Sequence, residues 1–538
     1  MKKLSLKNQV LKNKNNKIIS ENQAEEKEMN NESRTKNSIK NLTFALGGQM
    51  LSLLMQFAVR TVFIHTLGKE YLGLNGLFSN ILSFLSLAEL GIGESITISL
   101  YKPIAEGDEE KIKILMRIFR KAYCTIGIII LCIGASLTPF LPFFIKEMPD
   151  IKHIQIIYLL NVLISAASYF YSYKSTFIIA NQKNYIVTTN RYIINSLLAL
   201  SRCMLLLIWH NYIAYLVLQI LFLLIENISI SSLANKYYPV LKEKTNKPLD
   251  KETKSNILNN ISALIFSKLG SIVVYSTDNI LLSKLFGLAA VGLYSNYSLL
   301  LNTVKGVFAQ FFSAVIASVG NLRVLADEKK QMEIYNLIFF INFWLFAFAT
   351  TAFAVLIQPF ISLWAGNDYL MAPLTVIFLI INFYIVGMRR TNIMFCSAYG
   401  LLRYFKYAPV FEIIINLGAS VLLAKIVGEA GIFIGTTIST VCICLWIEPF
   451  MLFKHGIKYS LKKYFIKYFA YMFITAGILA ATYAAAYIIP VGGIAGFVLK
   501  MIIAASVPNI IMFLIFRKSY EFKALLNILK EFMKKKKR

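Results

Sequence analysis

Ten side chains carry the chemistry legible in this chain, because each is ionisable or polar and falls inside a long apolar run. In the first run Gln49, Gln56 and Arg60 follow i, i+7, i+11 spacing and share one helix face. Lys268, Ser271, Tyr275 and Asp278 form a broader stripe, and Tyr294, Ser298 and Lys305 a third. Arg202 and Glu226 sit centrally in their runs, while Glu89 and Glu94, five residues apart, face different ways. Ionisable groups are costly in hydrocarbon, so each must be paired or functional. The cations Arg60, Lys268, Lys305 and Arg202, with Gln56 and Tyr275 beside them, suit an anionic head group, since guanidinium and ammonium groups pair with diphosphate oxygens where water is scarce. The acids Asp278, Glu89, Glu94 and Glu226 suit charge balance or a coupling cation, proton or sodium. The plain alternatives are structural. Arg60 and Asp278 form an ion pair, Glu89 and Glu226 bond between helices, and Glu412 and Glu448 lie at the membrane interface. Lys268 and Lys305 resist such a reading, because a mid-span lysine cannot easily snorkel to water.

Nothing here reads as catalysis or metal binding. The four histidines fall near the ends of apolar runs, and the six cysteines form no CxxC pair. Gly91-Ile-Gly93 has no strand before it and is not a nucleotide-binding turn. The expectation is a non-enzyme with no cofactor.

The elements that hold these groups must be membrane helices. The chain is 57% hydrophobic and 16% charged over 538 residues, too apolar for a soluble domain. About fourteen apolar runs are long enough to cross a ~30 Å hydrocarbon core as helices. The net charge of +28 first suggests nucleic acid. Alternating the runs across a membrane removes that reading, because only Lys69, Lys146, Lys152, Lys284 and Lys425 then fall at the outer connections. The rest of the basic excess gathers on the inner side, as the positive-inside bias requires. Both termini are therefore expected in the cytoplasm, with no nucleic-acid partner.

The runs are duplicated. Leu67-Gly-Lys-Glu-Tyr-Leu-Gly-Leu recurs as Phe286-Gly-Leu-Ala-Ala-Val-Gly-Leu, pairing Gly68 with Gly287 and Gly73 with Gly292 at a constant offset. The register holds to Asp108-Glu109 and Lys111 against Asp327-Glu328 and Lys330. A same-sense repeat of this kind predicts an all-α membrane protein of two pseudo-symmetric six-helix lobes, the architecture of a two-lobed transporter. The expected division is a disordered cytoplasmic tail at 1–40, lobes at 41–234 and 257–453, a basic cytoplasmic linker at 235–256, two further helices within 454–516, and a basic amphipathic tail at 517–538. That last segment repeats apolar residues at helical spacing among lysines and is expected on anionic membrane lipid.

The run Arg60-Thr-Val-Phe-Ile, followed by Leu67-Gly68 and Tyr71-Leu-Gly-Leu-Asn-Gly-Leu-Phe-Ser-Asn-Ile-Leu82, resembles the Wzx-type oligosaccharide flippases of the multidrug/oligosaccharidyl-lipid/polysaccharide exporter superfamily. So do Leu85-Ser-Leu-Ala-Glu-Leu-Gly-Ile-Gly93, Ser276-Thr-Asp278-Asn-Ile and Val291-Gly-Leu-Tyr-Ser-Asn-Tyr297. The resemblance implies a V-shaped bundle in a bacterial plasma membrane. It also implies alternating-access transfer of a polyprenyl-diphosphate-linked oligosaccharide to the outer leaflet, for capsule, exopolysaccharide or teichoic acid synthesis. Glycosyltransferases and a polysaccharide polymerase are the partners it implies. Arg60 fits diphosphate engagement by position, and Lys268, Lys305 and Arg202 extend that role by their placement in the spans. A lipid-linked peptidoglycan-precursor flippase and a multidrug/cation antiporter of the same superfamily remain as alternatives.

Overall fold

A computed structural model describes residues 47–536, except 90, 171, 244, 326, 406 and 489–492; side chains at 260, at 262–275 and at scattered further positions are also outside the description. The expected tail at 1–40 therefore lies outside the described residues. Every regular element among those described is helical. The helices are α1 (Gly47–Leu85), α2 (Ile92–Glu106), α3 (Glu109–Ser136), α4 (Ile154–Tyr169), α5 (Ser172–Ala180), α6 (Asn184–Trp209) and α7 (Tyr212–Tyr237). There follow α8 (Lys251–Phe286), α9 (Leu288–Leu325), α10 (Glu328–Trp364), α11 (Pro373–Met388), α12 (Arg390–Ala398), α13 (Ala408–Val427) and α14 (Ala430–Ser439). A π-helical turn, Thr440–Cys444, leads into α15 (Leu445–His455), and α16 (Leu461–Tyr487), α17 (Gly493–Phe516) and α18 (Tyr520–Lys536) complete the chain.

Among the described residues eleven helices are long and apolar enough to cross a membrane, against about fourteen expected. Gly47–Leu85 counts once among them although its backbone turns at Gly68, φ +82°. Helices α8 and α9, at 36 and 38 residues, stand outside the eleven.

The repeat is visible in the backbone. Helix α4 begins at Ile154 and α11 at Pro373, 219 residues on. Each breaks near its end, between Tyr169 and Ser172 in the first copy and at Arg389 in the second. Each following hairpin turns at a left-handed residue, His210 with φ 49° and Gly428 with φ 67°.

The chain divides into two compact units. One comprises Met1–Arg60, Ile92–Ile129 and Leu163–Leu258; the other comprises Thr61–Gly91, Ile130–Val162 and Asn259–Arg538. In the first unit the expected basic linker is strapped to α3. Lys113 pairs with Glu243 at 2.6 Å, and Arg117 donates to the Thr245 and Lys247 carbonyls at 2.7 and 2.6 Å. Thr245 donates to Glu110 at 2.7 Å.

The second unit is built on aromatics. Phe343 stacks on Tyr471 with centroids 4.0 Å apart, joining α10 to α16. Trp344 donates to Asn509 of α17 at 2.9 Å and stacks on Phe522 of α18. Lys467 of α16 pairs with Glu521 at 2.7 Å, so the start of the amphipathic helix is pinned to the bundle. The duplicated glycine motifs also touch in this unit. A Cβ at Gly73 would collide with the Leu288 carbonyl oxygen, and one at Gly292 with the Lys69 carbonyl oxygen. Lys69 and Leu288 are equivalent positions, as are Gly73 and Gly292, so the contact is nearly symmetric and needs glycine on both sides.

Candidate transport site

In the first unit α6 and α7 form an antiparallel hairpin. Asn211 closes it by accepting the Ala214 N–H at 3.1 Å, which caps α7. Across the hairpin Arg202 lies over the Tyr215 ring, 4.0 Å from its centroid, and donates through Nη2 to Gln219. Arg202 Nε is buried with no acceptor among the described residues. Arg60, on α1, exerts its charge on the Tyr215 hydroxyl. Two of the four sequence-predicted cations therefore converge on one tyrosine. A cavity of about 280 Å³ nearby has a mixed lining, with Ser165, Ser168, Asn195, Gln219 and Glu226 beside Ile164, Leu198, Phe222 and Leu223. Glu226 is not free to serve a substrate cation, because Arg191 Nε holds it at 3.0 Å.

In the second unit Asp278 is 4% exposed. Its carboxylate accepts the Thr436 hydroxyl at 3.2 Å, and that hydroxyl is shared with the Ile432 carbonyl at 3.3 Å. Asn416 donates to Thr436 at 3.0 Å and accepts from Thr277 at 3.4 Å. A single shared donor leaves a buried carboxylate poorly compensated, an environment suited to a proton or small cation. Lys305 Nζ sits over the Phe383 ring, 5.6 Å from its centroid, and no acid pairs with it among the described residues. Like Arg202 it is a half-buried cation set over an aromatic face, with no paired carboxylate among the described residues.

The remaining predicted residues are more dispersed. Gln56 is exposed and donates to Ser52 on its own helix at 3.1 Å. Glu89 ends the 3-10 turn Ser86–Glu89, and Glu94 lies in the first turn of α2, where the helix dipole favours an acid. The side chains of Lys268 and Tyr275 lie outside the described residues.

One cluster escaped the sequence reading. Glu412 and Glu448, expected at the interface, are 8% and 3% exposed, and Arg389 is 9% exposed beside them. The break between α11 and α12 lies at Arg389, whose side chain sits buried against both acids. The signal was present: Glu412, Asn416 and Ser420 recur at i, i+4, i+8, and Thr436 and Thr440 at i, i+4.

The comparisons with known proteins now have a geometry to meet. The family model described as "Polysaccharide biosynthesis protein" matches residues 38–317, just over half of the chain. No curated protein sequence matches. Among solved structures the chain is similar to a lipid II flippase MurJ in an inward closed conformation, with TM-score 0.61, 15% identity, 89% of this chain and 99% of that chain covered. It is also similar to an inward-facing multidrug resistance MATE family transporter, with TM-score 0.59, 14% identity and 77% and 97% coverage. A third is a transporter of the same superfamily from Pyrococcus furiosus whose title reports a binding pocket of reverse polarity, with TM-score 0.53, 13% identity and 79% and 97% coverage. The structural likenesses establish the fold, and the family match establishes kinship. The chain belongs to the polysaccharide biosynthesis protein family, and its many apolar helices take the fold seen in the MurJ flippase and MATE transporter structures.

Proposed function

We propose that the protein moves a polyprenyl-diphosphate-linked oligosaccharide repeat unit from the inner to the outer leaflet of a bacterial plasma membrane by alternating access, supplying cell-surface polysaccharide synthesis. Arg202 carries the reading: a half-buried guanidinium between apolar helices, whose buried Nε has no acceptor among the described residues. A buried donor of this kind calls for an anion, and a diphosphate has the oxygens to meet it. Lys305 has no paired acid among the described residues, so positive charge is available to the head group. Lys268 completes the set by position. The isoprenoid stays in the hydrocarbon while the sugar and diphosphate cross in hydrated space. Asp278 holds the coupling cation, proton or sodium, with Glu89 and Glu94 balancing charge. Both termini are cytoplasmic, and the amphipathic α18 rests on anionic lipid of the inner leaflet. Glycosyltransferases build the substrate, and a polymerase consumes it.

The lipid-linked peptidoglycan precursor is the second reading. It carries the same diphosphate, and a structure bearing the name lipid II flippase is similar over 89% of this chain. A cation antiporter is disfavoured because Glu226, the acid beside the cavity, is already neutralised by Arg191. The test is transfer of a defined lipid-linked oligosaccharide in proteoliposomes, with lipid II as competitor. Transfer that resists competition supports the first substrate; preferential transfer of lipid II replaces it with the second.

A further inference from the structure

A second pair of cations lies in the first unit, away from Arg202. Lys174 of α5 is half-buried, and its ammonium donates to the Ser231 hydroxyl at 2.7 Å and the Asn235 side-chain carbonyl at 3.1 Å, both on α7. These neutral oxygens fix the ammonium in place without neutralising it, and they take two of its three protons. Arg120 of α3 is exposed and near enough for its charge to bear on Lys174. The acids at this end of the unit are already engaged. Glu109 and Glu243 hold Lys113, Glu110 takes the Thr245 hydroxyl, Asp250 pairs with Lys111, and Glu226 pairs with Arg191. Two positive charges therefore stand together with no acid paired to either among the described residues.

The backbone path alone does not require charge at these positions. Shifted by the repeat offset, Arg120, Lys174 and Ser231 become Phe339, Ile393 and Phe450, and Phe339 is fully buried in the aromatic core of the second unit. The second copy thus places apolar side chains where the first places two cations and the hydroxyl that braces one of them. Like charges held together beside apolar helices are costly until an anion joins them.

The adjoining surface points to what carries that anion. Leu221, Leu224 and Ile228 of α7 are exposed and recur at i, i+3 and i+7, and the same face continues to Ser231 and Asn235. They form an apolar track of ~10 Å that ends at the Lys174 brace. A free phosphate has no use for such a track, whereas a lipid lays its chain along it and its phosphate against the cations. Ser231 and Asn235 fall in the last two turns of α7, beside the segment read above as the cytoplasmic linker, so the brace lies at the head-group depth of the inner leaflet.

We propose that Lys174 and Arg120 form a docking site for a lipid-borne diphosphate, separate from Arg202 and occupied before transfer. Ser231 stands twelve residues along α7 from Gln219, the partner of Arg202, a separation of ~18 Å. A diphosphate esterified at both ends carries two negative charges and matches the two cations; a phosphodiester phospholipid carries one. That the occupant is cargo rests on the transporter reading; the site itself does not.

The test uses full-length protein in phosphatidylcholine nanodiscs and a polyprenyl diphosphate with a photoreactive group on its first isoprene units. Adducts are expected on residues 221–228, mapped by peptide mass spectrometry. They fall at least about tenfold in Lys174→Gln and in Arg120→Gln, and they persist in Arg202→Ala. Arg120→Gln alters an exposed side chain and serves if Lys174→Gln does not fold. Unlabelled polyprenyl diphosphate displaces the probe, and equal phosphatidylglycerol or inorganic diphosphate does not. Adducts undiminished in both variants, adducts only elsewhere, or displacement by phosphatidylglycerol or inorganic diphosphate as readily as by the diphosphate lipid overturn the site. In proteoliposomes Arg120→Gln slows transfer at low substrate and recovers at saturation; an equal loss at every concentration overturns the docking role. Wild-type protein that forms the adducts but transfers no lipid-linked oligosaccharide sinks the transporter reading and leaves the site standing.

Discussion

Helices α6 and α7 of the first copy and α13 to α15 of the second are one hairpin made twice, with interiors put to opposite use. In the second copy the facing positions are Glu412, Asn416, Thr436 and Thr440, each 8% exposed or less. Shifted back by the repeat offset, the same positions read Ile193, Leu197, Val217 and Leu221, at 57%, 52%, 41% and 52% exposure. Arg389 corresponds to Phe170 and Asp278 to Val59. The first copy carries its polar groups on another face, with Arg191 against Glu226 and Arg202 against Tyr215 and Gln219. One copy is short of an acceptor for a cation, and the other is short of a cation for its acids. Duplication preserved the backbone path, its breaks and its glycine contact, while each copy acquired its own buried charge. That asymmetry is what a carrier needs if an anionic cargo and a coupling cation are to be read by different helices.

The comparison breaks most visibly at Arg389. Arg389→Ala leaves two buried carboxylates without a cation and costs about 3–5 kcal/mol, seen as a large fall in thermal stability in detergent. Converting the cluster to the first copy's residues, with Arg389→Phe, Glu412→Ile and Glu448→Ser together, restores most of that stability and none of the transport. Gly73→Leu comes next. Its side chain has only the Leu288 backbone to displace, so overpacking costs about 1–3 kcal/mol and Gly292→Leu matches it, because the contact is symmetric. Arg202→Ala removes a cation on an aromatic face and lowers translocation about tenfold or more with normal amounts of protein in the membrane. Replacing the apolar Ile193 in the same hairpin by Ala leaves translocation near wild type.

Smaller effects lie at the ends of helices. At the start of α8 the Thr253 hydroxyl and then the Thr253 N–H, which Asp250 accepts at 2.8 Å, hold the Asp250 carboxylate down to about 2, with Lys111 at 3.5 Å adding to them. A lowered folded value means that its contribution is fully present above the ordinary carboxylate range and is lost as pH falls through about 2. Asp250→Ala therefore costs about 1 kcal/mol at neutral pH, and its thermal midpoint converges on wild type in strong acid. Lys458→Ala breaks a 2.6 Å pair with Glu328 in which both side chains are largely exposed, and leaves the thermal midpoint almost unmoved.

Much of the fold was legible because hydropathy and repetition are properties of long segments. The offset read from Gly68 and Gly287 returned the start of α4 against α11. The contact between the glycine motifs was not legible, since spacing shows that a residue is small and not what approaches it. Arg60 and Arg202 were each flagged by the cost of charge in an apolar run, but their meeting at Tyr215 depends on how α1 packs against the α6–α7 hairpin. Arg389 was not flagged, and the burial of Glu412 and Glu448 against it was not legible, for a related reason. Charges near span ends normally snorkel, and only the turn between α11 and α12 reveals that Arg389 is buried against Glu412 and Glu448.

The central claim is that buried, unaccepted positive charge in the first copy reads a diphosphate-linked glycolipid. Its most direct test measures transfer of a fluorescent polyprenyl-diphosphate oligosaccharide across proteoliposomes holding the wild-type protein or Arg202→Ala, beside the same glycan on a neutral lipid. The account predicts transfer of the diphosphate lipid by wild type, its loss in Arg202→Ala, and little transfer of the neutral lipid by either. Equal transfer of charged and neutral lipids, or undiminished transfer by Arg202→Ala, would contradict it.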